Sequence, residues 1–185
     1  MASAWRKRLI SQSDLMTLHE KLKEQGKKIV FTAGSWDLLH VGQCRYLEAA
    51  RNEGDILVVG VSSNAAISHV KGPNKPILDE KIRAEMLTFL RAVDFVTILP
   101  EPSCQPSLGL LKPDVFVTVK EEWAANYKES REYKTVIKYG GQVLVVDRQS
   151  TALSTTKIVQ RAIGGELGNI FKDFMELRKD PLKER

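Results

Sequence analysis

The segment GSWDLLHVGQ, Gly34–Gln43, groups residue types that handle phosphate. Its glycine permits a tight backbone turn, and a helix is expected to begin near Leu39 or His40. His40 and Gln43 stand three residues apart, so both side chains project from one face of the first helical turn. The unpaired N–H groups of such a turn already favour an anion. Taken alone, a histidine at a helix start caps or packs. Here a second motif accompanies it: in STTKI, Ser154–Ile158, three consecutive hydroxyls and a lysine open a helix. Ser and Thr at such positions are ordinary N-caps. Beyond the last strand of a sheet whose strand ends share one edge, the same hydroxyls and N–H groups could instead face a polyphosphate.

These motifs need elements that carry them to a common edge. Five β-rich runs are available: KIVFTA (Lys28–Ala33), DILVVGV (Asp55–Val61), DFVTILP (Asp94–Pro100), DVFVTV (Asp114–Val119) and QVLVVD (Gln142–Asp147). They are continuously apolar rather than alternating, as parallel strands covered on both faces are. Helix-length segments separate them, which predicts a doubly wound α/β fold: a parallel five-stranded sheet in a three-layer α/β/α arrangement. Ligands bind such sheets beyond the carboxyl ends of the strands, where the strand order reverses.

The intervening segments fit. After Asp79, a candidate N-cap, Ile82, Met86, Phe89, Leu90 and Val93 recur at helical spacing and are expected to form an apolar face. Cys44, Leu47 and Ala50 do the same in the first crossover helix. Leu15, Leu18 and Leu22 line one side of a short helix opened by Ser13 or Asp14 and ended at Gly26. Beyond Gly164-Gly165, Leu167, Ile170, Phe171, Phe174 and Leu177 make a second amphipathic helix, docked on the domain or on a partner subunit. The expected division is an N-terminal helical extension at 1–27, a main domain at 28–163 and a C-terminal helical tail at 164–185.

Composition narrows the classes. A chain of 185 residues with 43% hydrophobic and 28% charged residues suits one folded domain and excludes a disordered or low-complexity protein. The net charge of +5 comes from 28 basic and 23 acidic residues spread along the whole length, so a mixed solvated surface is favoured over a nucleic-acid groove. A local cationic pocket for a phosphorylated small molecule gives the same excess. No apolar run approaches the roughly 20 residues that span a bilayer, and the first thirty residues lack the apolar core of a secretory signal. A cytoplasmic protein without a membrane or nucleic-acid partner is expected. Cys44 and Cys104 have no metal-type spacing and fit a reducing compartment.

The motifs and the stretches between them resemble the HxGH-type nucleotidyltransferases, the cytidylyltransferase-like superfamily. Its signature is a GxFDxxHxGH loop after the first strand and an STTKI-like motif opening the last helix. The stretches GKKIVFTAGSWDLLHVGQ, LEAARNEGDILVVGVSS, HVKGPNKPILDEKIRAEML, LRAVDFV and STTKI follow the family's order from about Leu15 to Ile163. Within the superfamily the chain is most similar to the heptose 1-phosphate adenylyltransferase domains of ADP-heptose synthesis, and next to glycerol-3-phosphate cytidylyltransferase.

The resemblance implies a Rossmann-like domain that transfers a nucleoside monophosphate to a sugar phosphate such as heptose 1-phosphate and releases pyrophosphate. The donor would be ATP, assisted by Mg²⁺. Two alternatives stay open: cytidylyl transfer from CTP to glycerol 3-phosphate or another polyol phosphate, and a nucleotide-binding module with weakened catalysis. His40 would donate to the α-phosphate or the bridging oxygen, and Lys71 would meet the triphosphate or the acceptor's phosphate. Gln43 replaces the family's second histidine and can donate a hydrogen bond without a charge. Thr32, Ala33, Gly34, Ser35, Trp36 and Asp37 would line the nucleotide loop, Trp36 standing where the family has phenylalanine. Gly34 would let the backbone approach the nucleotide, and Asp37 would orient the loop or a phosphate-bound cation. Arg91 matches a phosphate-contacting arginine, and Ser154, Thr155 and Thr156 would hold the β- and γ-phosphates. The relatives' KGGDW-like loop reads TVKEEW here, Thr118–Trp123, where Lys120 and Trp123 would form a wall for substrate or base. The protein itself would supply no metal centre, and a homodimer through the C-terminal stripe is expected.

Overall fold

A computed structural model describes residues 4–119, 126–147 and 154–178, with backbone alone at 171 and 173–178. Lys120, Trp123 and the side chains of Phe171, Phe174 and Leu177 lie outside the described residues. The chain forms two compact units, 1–150 and 151–185.

Unit 1 holds an all-parallel sheet in which β1 (Ile29–Gly34), β2 (Ile56–Ser62), β3 (Phe95–Leu99), β4 (Val115–Val119) and β5 (Gln142–Val146) are ordered β3-β2-β1-β4-β5. This is the predicted doubly wound fold. Successive residues of a strand point to opposite faces, so the runs must be apolar throughout when both faces are covered. Val30, Val59 and Val61 meet Leu47 and Ala50 of α2 (Val41–Arg51) and Ala84 and Leu87 of α4 (Glu80–Thr88). On the other side Ile29, Phe31 and Phe116 meet Leu15, Leu18 and Leu22 of α1 (Leu15–Glu24), Leu108 and Leu111 of α5 (Gln105–Leu111) and Val136 of α6 (Arg131–Lys138). The short α3 (Asn64–Lys71) follows β2. As expected, α1 presents its leucines to the core and the chain leaves it through Gly26 at φ 66°.

Two helices depart from the sequence reading. The Asp79 carboxylate caps α4 through the Lys81 N–H, as predicted, but the buried face is Arg83, Ala84, Leu87 and Thr88. Ile82 and Phe89 are 50% and 67% exposed, and Met86 is exposed too. Only Val93 and Leu90 of the expected apolar set reach the core. An arginine occupies the inner face because backbone carbonyls there satisfy its guanidinium. In unit 2, α7 (Thr155–Arg178) runs through Gly164 and Gly165 without a break. No helix among the described residues is long and apolar enough to cross a membrane.

Candidate active site

The strand order reverses between β1 and β4, which places a crevice at their carboxyl ends. The two strands pair only at Val30–Val115 and Phe31–Phe116, whereas β1 pairs with β2 along its whole length. Tyr46 of α2 fills the split. Its hydroxyl donates to the Val117 carbonyl at 3.0 Å, so the Thr32 hydroxyl, 2.7 Å away, must donate to Tyr46. Thr32 therefore serves the fold by fixing α2 over the crevice. Ala33 packs into the α1–α5 side of the core.

The loop after β1 is held in an unfavourable backbone conformation. Trp36 and Leu38 have φ 51° and 46°, a region that costs of order 1–3 kcal/mol for a side-chain-bearing residue unless its surroundings impose it. The surroundings of Trp36 do. Its indole is buried, donates to the Gly60 carbonyl at 2.9 Å and lies against Tyr46 with ring centroids 6.0 Å apart. A Cβ on Gly34 would stand 3.1 Å from this indole, so the glycine leaves room for Trp36. The ring thus lies beneath the loop, within the core cluster.

Asp37, 5% exposed, accepts the N–H groups of Ile77 and Leu78 at 2.9 and 3.0 Å. Both carboxylate oxygens are committed to orienting the loop. The sequence reading missed Arg83, which is 1% exposed. It donates to the carbonyls of Ser35 and Leu78 and to the Asn64 side-chain oxygen. Burial pulls its pKa below the ordinary value, and the charges of Asp37, Glu80 and Asp79 oppose that shift. Only its position on the helical face of Ala84 and Leu87 could have signalled the burial. Lys71 reaches the same loop, donating to the Ser35 hydroxyl at 3.1 Å. Ser35 thus receives a cation on its hydroxyl and another on its carbonyl.

His40 is the N-cap of α2 in an extended conformation. Its carbonyl accepts the N–H groups of Gln43 and Cys44, and its own N–H donates to Gln43 Oε1 at 3.0 Å. That reach-back contact is half of a capping box. Gln43 therefore holds the His40 backbone with its oxygen and keeps its NH₂ as a donor.

Arg91 is exposed in the turn entering β3. That turn lies at the amino edge of the parallel sheet, opposite the loop, and the structure does not bring Arg91 to the other site residues. In unit 2 the Ser154 hydroxyl accepts the Lys157 N–H at 3.2 Å and caps α7, with Thr155 and Thr156 in its first turn. Among the described residues no three His, Cys, Asp or Glu side chains could together hold a metal ion. Burial pushes the Cys104 thiol up to about 12, which leaves it inert as a nucleophile at neutral pH.

Comparison with known proteins supplies relatives. The cytidylyltransferase-like family model matches residues 31–161. The bifunctional protein HldE of Syntrophotalea carbinolica is 36% identical over 154 residues, covering 82% of this chain and 30% of that protein. Its namesake from Geobacter metallireducens is 41% identical over 152 residues, covering 80% and 30%. The chain thus spans under a third of these curated relatives. The crystal structure of the lipopolysaccharide core biosynthesis protein from Thermoplasma volcanium superposes with a TM-score of 0.56 at 26% identity, over 66% of this chain and 97% of that one.

Proposed function

The chain belongs to the cytidylyltransferase-like family, and from that premise we propose that it transfers AMP from ATP to a sugar phosphate such as heptose 1-phosphate, releasing pyrophosphate. The observation that carries this reading is the convergence on one loop at the sheet's switch point: His40 caps a helix N-terminus there, and Lys71 and Arg83 are both tied to Ser35. The heptose acceptor rests on the motif resemblance and is in keeping with the lipopolysaccharide core biosynthesis relative.

In the transfer, an oxygen of the acceptor's phosphate attacks the α-phosphorus in line. A new P–O bond forms as the bond to the bridging oxygen breaks, and pyrophosphate leaves with that electron pair. No protein nucleophile is required, so catalysis consists of positioning and charge stabilisation. His40 donates a hydrogen bond to the α-phosphate or the bridging oxygen. The free N–H groups at the start of α2 face the same anion. Lys71 meets the triphosphate or the acceptor, and the Gln43 NH₂ adds a neutral donor. On the motif resemblance, Ser154, Thr155 and Thr156 are assigned to the outer phosphates. Mg²⁺, bound through the phosphates, would neutralise developing charge. The homodimer through α7 and a cytoplasmic setting belong to the same proposal; Ile163, Leu167 and Ile170 of α7 are exposed apolar residues that a second copy could cover.

Pyrophosphate release with ATP, CTP, GTP and UTP, each paired with heptose 1-phosphate or glycerol 3-phosphate, tests the reading. ATP with heptose 1-phosphate should be fastest. CTP with glycerol 3-phosphate as the best pair would transfer the assignment to the cytidylyl alternative. Absence of release with every pair, together with measurable nucleotide binding, would leave a binding module. Light scattering tests assembly, and a monomer mass at micromolar concentration would overturn the homodimer.

A further inference from the structure

A groove of about 720 Å³ lies between α5 and α6, in the helical layer on the opposite face of the sheet from α2 and the His40 loop. Four cations border it: Lys112, Arg131, Lys134 and Lys138. All four are exposed, none of its lining residues is acidic, and none of the four is in an ion pair among the described residues. Nearby carboxylates are occupied elsewhere: Glu132 accepts from the Ser103 hydroxyl, and Asp114 pairs with Lys23. Arg131, Lys134 and Lys138 recur at i, i+3 and i+7, which puts like charges on one side of α6, where they repel and weaken the helix. Lys112 adds a fourth charge from the C-cap of α5 with φ 41°, a left-handed position where glycine is the usual occupant. Between the charges the groove is walled by Tyr139 and opened by Gly109, where a Cβ would meet no atom within 4 Å.

We propose that this groove binds a small molecule carrying two phosphate groups joined by a ring-bearing body. Arg131 and Lys138 are seven residues apart on α6, about 10 Å along the axis, so the two phosphates engage opposite ends of the row. The volume falls within the range of small-molecule sites and is too small for a macromolecular partner to fill it as a fold. A sugar bisphosphate with its phosphates at opposite ends of the ring has this chemistry. The site is independent of the proposed transferase reaction, because the groove's lining includes no residue of the His40 loop.

Titration of the full chain, followed by the backbone amide signals of Gly109, Thr135 and Tyr139, reads the groove directly. The probes are glucose 1,6-bisphosphate, ADP-glucose, whose two phosphates are directly joined, and glucose 6-phosphate, all at 150 mM salt. Glucose 1,6-bisphosphate should shift these amides with a Kd at least tenfold below those of the other two. Lys134→Gln/Lys138→Gln should weaken that binding at least tenfold. Gly109→Leu fills the groove without changing charge at a helical position free of strain, and it should abolish the shifts while preserving the fold. Lys71→Ala, which affects the other site, should leave them intact. Equal affinity for glucose 1,6-bisphosphate and glucose 6-phosphate would overturn the proposal, as would shifts that persist in Gly109→Leu or that arise only near the His40 loop.

Discussion

His40 has two roles that substitution can separate. Its backbone caps α2, and the proposed reaction assigns its imidazole to the phosphate. His40→Ala should lower turnover on the order of 10²–10³-fold, the usual effect of losing a donor aimed at transition-state charge. Nucleotide affinity should change much less. His40→Asn keeps a strong capping residue type and should match the wild-type melting temperature, yet remain as slow as His40→Ala. A rate restored by asparagine would assign His40 to capping alone. Gln43 calls for a matching pair. Its oxygen holds the His40 N–H, so Gln43→Glu should preserve stability while placing a negative charge beside the phosphate and slowing the reaction. Gln43→His introduces a group that is cationic below about pH 6.5. Its rate should exceed wild type at acid pH and converge toward it as pH rises, with a stability loss of about 1 kcal/mol from the missing reach-back contact. Kinetics across pH, paired with thermal melts, measure both effects. A Gln43→His enzyme slower at every pH would mean that the amide is fitted to this protein's own acceptor.

At the scale of elements, the loop between β1 and α2 is rigid because distant segments grip it. Arg83 of α4 joins the Ser35 and Leu78 carbonyls, and Asp37 crosses to the N–H groups of Ile77 and Leu78. Arg83→Met should leave buried acceptors unpaired at roughly 1–3 kcal/mol each. It should also release the loop, so KM for the nucleotide rises along with the loss in melting temperature. Arg83→Lys, which restores one donor, should recover part of both. Unchanged KM in a folded Arg83→Met protein would show that the loop holds itself. The strands were legible in the sequence because burial on both faces writes a continuous apolar run, and the start of α2 at His40 was legible in the loop that precedes it. The α4 face was not. Periodicity selected Ile82, Met86 and Phe89, and only the carbonyls supplied by Ser35 and Leu78 make an inward arginine favourable. The conformation of Trp36 was hidden for the same reason, since it depends on Gly60 and Tyr46 from other elements. Arg91 carried a motif match, but the parallel order of β3 places it at the opposite edge.

Across the whole of unit 1, the two edges of the sheet do different work. The carboxyl edge carries the strained loop, while the amino edge is stitched by an aspartate just before each of three strands. Asp55, Asp94 and Asp114 donate their backbone N–H to Lys28, Leu57 and Ile29 and accept that same residue's N–H on a carboxylate oxygen. Asp114 also pairs with Lys23 of α1, tying that helix to the sheet. Burial raises the Asp114 pKa, but the hydrogen bonds from Lys23 and Ile29 and the Lys23 charge outweigh it, leaving a net shift below the ordinary value of 3.8. A depressed folded-state pKa means that the carboxylate stabilises the fold above the unfolded-state pKa. That contribution disappears as pH falls below 3.8 and through the folded-state value. Asp114→Asn should therefore be less stable than wild type at pH 7, with a gap that stays constant down to about pH 5 and closes below the ordinary carboxylate range. Added salt should narrow the gap only in part, because it screens the exposed Lys23 pair and leaves the Ile29 N–H bond in place. Urea unfolding of the two proteins between pH 2.5 and 7, at low and high ionic strength, measures the difference. A gap that persisted unchanged at the acid end would remove the Asp114 carboxylate from the forces closing the amino edge.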